Sequence, residues 1–198
     1  MRSIYIYGAS GHGLVVADIA ASCGFEEIIY IDDGQNIYPS FEEIEDTKIP
    51  LVFGVGNNFI RKKLFYKVKA KGFSIITLID PTASISRSAT IGEGTVIMPR
   101  VVVNAKTIIG NGVIVNSSSV IEHENIVEDF SHISPAVALA GDVKIGENSH
   151  IGIGTVVIQG LRVGKNSKIG AGSIVTKSIG DNKLCYGNPC KVIKDLDG

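Results

Sequence analysis

The feature that most constrains the fold is a period of six residues. Stepping by six from Ile79 meets Ile85, Ile91, Ile97, Val103, Ile109, Val115, Ile121, Val127, Ile133, Leu139, Ile145, Ile151, Val157, Val163, Ile169 and Val175. All seventeen positions are Ile, Val or Leu, and nothing resets the frame. Glycine often follows, as in Ile91-Gly92, Ile109-Gly110 and Ile145-Gly146, and Gly94, Asn111, Gly112, Asn148, Asn166 and Gly172 fill intervening turns. Six residues suit one short strand and one tight turn. The aliphatic side chain then points inward, and Gly or Asn tolerates the positive φ of the turn. This periodicity marks a parallel β-helix. Three hexapeptides close a triangular coil of about 18 residues, and coils stack at about 4.8 Å, so five to six coils give a prism roughly 25 Å tall. A β-sandwich has no reason to hold this phase.

The first eighty residues keep a different rhythm. An apolar run, Ile4-Tyr5-Ile6-Tyr7, enters Gly8-Ala9-Ser10-Gly11-His12-Gly13 and then a helical pattern stopped by Gly24. A second run over 28–31 ends in Asp32-Asp33, and a third over 51–55 ends in Gly56-Asn57-Asn58. A basic helix over 59–71 follows, then a fourth strand over 73–78. Alternating strands and helices predict a small Rossmann-like α/β unit over 1–80, ahead of a β-helix with its tail over 81–198. In such units the first glycine turn presents N–H groups at a helix N-terminus, where phosphate is stabilised. An acid ending the second strand reaches ribose hydroxyls, and Asp32 and Asp33 stand 24 and 25 residues after Gly8. The glycine order is G-x-x-G-x-G, not the dinucleotide order, which favours a nucleotide-sugar diphosphate over NAD. The alternative is a turn whose glycines serve packing alone.

With 19 basic and 20 acidic residues, no nucleic-acid partner is expected. No run of about 18 apolar residues predicts a membrane span, and MRSIYIYGAS lacks a signal-peptide core. Three cysteines at no metal-ligand spacing (Cys23, Cys185, Cys190) fit free thiols in a reducing cytoplasm, and no metal site is expected. A positive mean hydropathy without a membrane segment points to apolar surface hidden between subunits.

One segment of the repeat departs from small turn residues: Asn116-Ser-Ser-Ser-Val-Ile-Glu-His-Glu-Asn125. His123 follows the inward Ile121 by two positions, so it stands near a corner and points outward. Acyl transfer to an amine or hydroxyl needs a base, and neutral imidazole suits pH 7. A neighbouring carboxylate fixes its tautomer and raises its basicity; Glu122, Glu124, Glu128 and Asp129 are candidates. His132 and His150 are one coil apart and should stack in one column. From Arg162 to Lys194 there are seven basic residues and one acid, a balance suited to the phosphates of CoA or to a solvated face.

YGASGHG, the Asp32-Asp33 pair, GNN-x-I-R-K-K, SSSVIEHE and the tail Gly187-x-Pro189-x-Lys191 together resemble bacterial hexapeptide sugar acyltransferases of the PglD/NeuD type, over essentially the whole chain. The resemblance implies a left-handed β-helix and a homotrimer with acyl-CoA between neighbouring prisms. It implies acetyl transfer from acetyl-CoA to the 4-amino group of a UDP-4-amino-4,6-dideoxy-N-acetylhexosamine in bacterial glycan biosynthesis. It implies His123 as base and Glu124 as its activating acid. Nucleotide-sugar contacts would fall at Ser10, Gly11, His12, Asp32, Asp33 and Gly56, with Asn116 near the acceptor amine. Acetyl-CoA contacts would fall at His132, Gly141 and Ile153. Pro135-Ala136-Val137 departs from the family's more glycine-containing turn there. O-acetylation of sialic acid and N-acetylation of a GDP-linked amino sugar would use the same residues. A non-catalytic nucleotide-sugar-binding protein would have no need of His123-Glu124.

Overall fold

A computed structural model of the chain describes residues 2–196, so Met1 and the last two residues of the expected 81–198 unit lie outside it. Strands β1 (Ser3–Tyr7), β2 (Glu27–Ile31) and β3 (Leu51–Phe53) form a parallel sheet in the order β2-β1-β3. Helices α1 (Gly11–Ser22) and α2 (Asn58–Ala70) follow β1 and β3. Alternation along β1 sends Ile4 and Ile6 to one face, where α1 contributes Val16, Ala17, Ile19 and Ala20. Tyr5 and Tyr7 go to the other, with Phe53, Phe65 and Val68 under α2. Helices on both faces are the usual cover for parallel strands.

The expected fourth strand over 73–78 does not form as such. Ile75 makes an isolated parallel bridge to Leu51, and Leu78–Ile79 instead pairs with Val96–Ile97. The backbone groups of this segment are shared between sheet and prism, which leaves no run long enough for a strand of its own.

The prism contains seventeen two-residue strands, β4 (Leu78–Ile79) to β20 (Ile174–Val175), each ending on an aliphatic residue of the six-residue period. They stack into three parallel sheets with partners one coil apart, as in Val115↔Ile133 and Ile133↔Ile151. Every sixth residue from Gly94 to Gly172 takes a positive φ, between 54° and 70°. Arg100, Lys106, Phe130 and Ala136 adopt it too, so the corner is imposed by the closure of the coil and not by glycine content. Ala136, in the Pro135-Ala136-Val137 turn, keeps the same corner as its neighbours. A second device was not read from the sequence. Buried hydroxyls donate to carbonyls of the next coil: Thr95 to Gly110, Thr107 to Glu122, Ser119 to Ser134, Ser131 to Gly146 and Ser149 to Gly164, at 2.6–2.9 Å. An antiparallel hairpin, β21 (Lys183–Tyr186) with β22 (Lys191–Asp195), closes the eight-stranded sheet.

The α/β unit sits on the outer face of that eight-stranded sheet. Going up this face, the outward residues are Leu78, Val96, Ile114, His132, His150 and Lys168. The first three are 1–2% exposed and join the core beneath α1. From His132 upward the column turns polar, and the α/β unit still covers its start, with His132 buried and Asn58 donating to Asn148 O and Ser149 O.

Candidate active site

One half of the site grows from the close approach of β1 and β3. Gly8 turns the chain at φ +112° into α1. A Cβ on Gly13 would lie 2.0 Å from the Gly8 carbonyl oxygen, and one on Gly54 2.5 Å from it. Packing therefore demands Gly8, Gly13 and Gly54. Gly11 and Gly56 differ, because nothing lies within 4 Å of where their Cβ would stand. Ser10 is the N-cap of α1 but makes no capping hydrogen bond with its side chain. Its hydroxyl and the first-turn N–H groups can serve an anionic ligand.

A cavity of about 520 Å³ opens at the C-terminal ends of the strands, where α/β units bind ligands. Tyr7, Gly8, Asp32, Asp33, Gly34, Val55, Ile60, Lys63, Leu64 and Lys67 line it. Asp32 accepts from the Ala9 and Gly34 N–H groups, both at 2.9 Å. Asp33 accepts from the Tyr7 hydroxyl at 2.5 Å, the Phe41 N–H at 2.9 Å and Lys67 at 3.3 Å. Burial alone would raise the Asp33 pKa, but these three donors hold it below the usual carboxylate range. Burial, and then Asp33, push the Tyr7 hydroxyl far above its usual range, so it remains a donor. Asp33 thus ties β1 to the loop before Phe41 and to α2. Tyr7, Lys63 and Lys67 were missed in the sequence. Lys63 stands in the basic GNN-x-I-R-K-K helix, and only the helix's orientation shows which lysines face the cavity.

The other half lies on the prism. His123 occupies the turn between strands Val120–Ile121 and Ile126–Val127, with its side chain 59% exposed. Its Nδ1 lies 3.1 Å from the Glu124 carboxylate. Glu124 is the left-handed corner residue, φ 61°, and this corner turns its side chain back toward the preceding imidazole. The rival acids are engaged elsewhere: Glu122 with Asn104, Glu128 with the Glu147 N–H, Asp129 with Asn111. A Cβ on Gly141, one coil up, would stand 2.5 Å from the His123 ring. Gly141 therefore lets the imidazole lie flat over the next corner, and its own N–H donates to no acceptor among the described residues.

Three histidines meet where the α/β unit packs on the prism, His12 from α1 and His132 and His150 from the eight-stranded sheet. The rings of His12 and His132 are 6.3 Å apart, and those of His132 and His150 4.7 Å. His132 Nε2 lies 3.2 Å from the Asn116 amide nitrogen, and His150 Nε2 lies 2.9 Å from the Ser134 hydroxyl. Burial, then the Arg61 charge, pulls the His12 pKa down to about 4. Burial, then His150 and Arg61, pulls that of His132 down to about 3. Both are neutral at pH 7, and the buried Nε2 of His12 has no partner among the described residues. Ile153 is 54% exposed, in the turn after the strand His150–Ile151.

The expected residues fall into two groups that one chain does not bring together. Asn116 and His132 border the eight-stranded sheet on the α/β side. His123, Glu124 and Gly141 occupy the corner between the other two sheets. The six-stranded face separates the groups, and its outward column, apolar and incompletely buried from Val102 through Val120, Ala138 and Val156 to Ile174, ends below on the exposed Ser84.

Fold and site define a hexapeptide-repeat acyltransferase with an attached Rossmann-like α/β unit. Residues 3–68 match the PglD N-terminal domain family, and residues 88–123 and 142–177 match the bacterial transferase hexapeptide family. The acetyltransferase domain of PglB from Neisseria gonorrhoeae FA1090 is 36% identical, with a TM-score of 0.92 over 98% of this chain and 100% of that one. PerB from Caulobacter crescentus, in complex with CoA and GDP-perosamine, is 31% identical, with a TM-score of 0.93 over 97% of both chains. The UDP-N-acetylbacillosamine N-acetyltransferase of Bacillus subtilis (strain 168) is 35% identical over 112 residues. That stretch is about half of each protein, 50% of this chain and 52% of the relative. The chain belongs to the PglD-type family of hexapeptide-repeat sugar acetyltransferases.

Proposed function

We propose that this protein transfers an acetyl group from acetyl-CoA to the 4-amino group of a UDP-linked 4-amino-4,6-dideoxy sugar. The observation that carries the reading is His123, exposed at a prism corner, backed by Glu124 and laid flat over Gly141. The amine attacks the thioester carbonyl while His123 Nε2 takes its proton. Glu124 on Nδ1 holds the tautomer that leaves Nε2 as acceptor and stabilises the imidazolium that forms. The Gly141 N–H, which donates to no acceptor among the described residues, would meet the tetrahedral oxyanion. Collapse breaks the C–S bond, and the imidazolium returns its proton to the CoA thiolate. The products are an N-acetyl sugar and free CoA.

Ser10, Gly11, His12, Asp32 and Gly56 would hold the nucleotide sugar, Asn116 would orient the amine, and His132, Gly141 and Ile153 would contact acetyl-CoA. The 520 Å³ cavity has the size for a nucleotide, and Lys63 stands on its wall. Bound acetyl coenzyme A in the Neisseria domain supports the donor. The apolar six-stranded face supports a homotrimer. A cyclic arrangement lays that face against a neighbour and brings His123 of one copy to Asn116 and His132 of the next. Three free thiols, Cys23, Cys185 and Cys190, support a cytoplasmic setting, and no described helix is long and apolar enough to cross a membrane.

A second reading keeps the chemistry and changes the nucleotide, since the Caulobacter neighbour holds GDP-perosamine. Release of free CoA, followed with a thiol reagent across UDP- and GDP-linked 4-amino sugars and sialic acid, tests both. Fast release with the UDP amino sugar is expected. Preference for the GDP sugar moves the nucleotide assignment, and turnover only on sialic acid overturns N-acetylation.

A further inference from the structure

Arg61 is the largest fully buried side chain of the molecule's described residues, 1% exposed, and it faces no carboxylate. Its five N–H groups are used on carbonyl and amide oxygens alone. Nε donates to Gly112 O at 2.7 Å, and Nη1 donates to Val55 O at 3.0 Å and Gly56 O at 3.1 Å. Nη2 donates to Asn58 Oδ1 at 2.9 Å, Phe130 O at 2.9 Å and Ser131 O at 3.3 Å. Burial lowers its pKa to about 9, which leaves it a cation at pH 7. A buried charge without a counter-ion is costly, and a leucine or methionine would join a helix to a prism at lower cost.

The acceptors explain the choice. Val55 lines the nucleotide cavity, and Gly56 follows it. Phe130 and Ser131 are the corner residues directly before His132, and Gly112 is the corresponding corner one coil below. One rigid, planar fork therefore spans the seam between the loop that lines the cavity and the coil that carries His132. Asn58 extends the same seam one coil upward, donating to Asn148 O and Ser149 O at 3.1 Å. Lysine could not reproduce this, because a single ammonium has three donors and no fixed fork. The charge also reaches His12, His132 and His150, each of which it disfavours in the protonated form.

We infer that Arg61 is a positioning residue for the transfer reaction, setting the distance between the nucleotide cavity and the prism wall that carries Asn116 and His132. The inference rests on the nucleotide-sugar reading above. A nucleotide anchored in the cavity delivers its sugar amine to a fixed point only if cavity and wall are locked together, and displacement of about 1 Å can cost about a hundredfold in rate.

The test compares the full-length protein with Arg61→Lys on two acceptors, the nucleotide-linked amino sugar and the same amino sugar without its nucleotide. Roughly a tenfold or greater loss of kcat/KM is expected on the linked acceptor alone. The slow rate on the free sugar should stay within about twofold of the parent protein, since the free sugar does not use the anchor. An equal loss on both acceptors, or no loss on the linked one, overturns the inference. Amide hydrogen exchange provides a readout that needs no turnover. Arg61→Lys should lose protection at Phe130 and His132, whose N–H groups donate to Asn111 O and Ser149 O, while the prism core at 145–163 keeps it. Unchanged protection at the seam overturns the inference even if the parent protein acetylates no nucleotide sugar, a result that would count separately against the proposed function.

Discussion

The two parts of the molecule build their share of the site by opposite means. In the α/β unit the backbone does the work: glycines bring the turn and β3 into contact, and a helix N-terminus and a short loop offer N–H groups. In the prism the backbone is the same at every corner, and one imidazole in a run of equivalent turns makes the difference. A uniform scaffold can take a functional side chain at any corner without local redesign, whereas a glycine turn is specific to its place. Substitutions should therefore separate catalysis from folding cleanly in the prism and less cleanly in the α/β unit.

The sharpest separation is expected at His123. His123→Ala should lower kcat by about 10²–10⁴-fold while thermal unfolding and acetyl-CoA binding stay unchanged, since the ring is exposed at a corner that keeps its conformation. Retained turnover would remove it as base. Gly141→Ala comes next. Its methyl would overlap the imaginary Cβ position 2.5 Å from the His123 ring, and a displaced base should cost about 10²-fold in kcat with the fold intact.

In the α/β unit the contrast lies between two glycines of one turn. Gly13→Ala drives a methyl to within 2.0 Å of a carbonyl oxygen and should destabilise by about 1–3 kcal/mol or more, read as a drop in the urea midpoint. Gly11→Ala meets open space, so stability should hold while affinity for the nucleotide falls. Equal effects of the two would break the distinction between packing and binding glycines.

A further effect is on pH dependence, and its sign follows from the buried histidines. His12 and His132 have folded pKa values of about 4 and about 3, against 6.5 when exposed. Below pH 6.5 the unfolded chain takes up protons that the folded chain refuses. Stability should therefore fall as pH drops from 6.5 toward 4, by on the order of 1 kcal/mol per pH unit for each histidine. His12→Gln with His132→Gln should flatten that slope. An unchanged slope would place its origin elsewhere.

The prism was legible because one physical constraint, an inward aliphatic side chain every six residues, repeats often enough to be counted. Its corners were only half legible. Gly94 and Asn148 announced a left-handed turn, but Arg100 and Phe130 take the same φ because closure of the coil imposes it. In the site, His123 and Glu124 could be paired from adjacency. Asp32 and Asp33 could be placed at the end of β2, but the Tyr7, Phe41 and Lys67 donors that hold Asp33 come from distant segments. Arg61 left no trace beyond a basic helix, because its burial depends on how α2 docks against corners at 112 and 130. Periodicity reveals what repeats locally, and a seam between two units does not repeat.

The central claim is that the transfer site joins two copies, with His123 from one and Asn116 from the next. Mixing His123→Ala with Asn116→Ala, each inactive alone, and reassociating them should restore roughly a quarter of the parent rate, because about one in four cyclic contacts then pairs two intact edges. No recovery in mixed assemblies would contradict the account and place the whole site within a single chain.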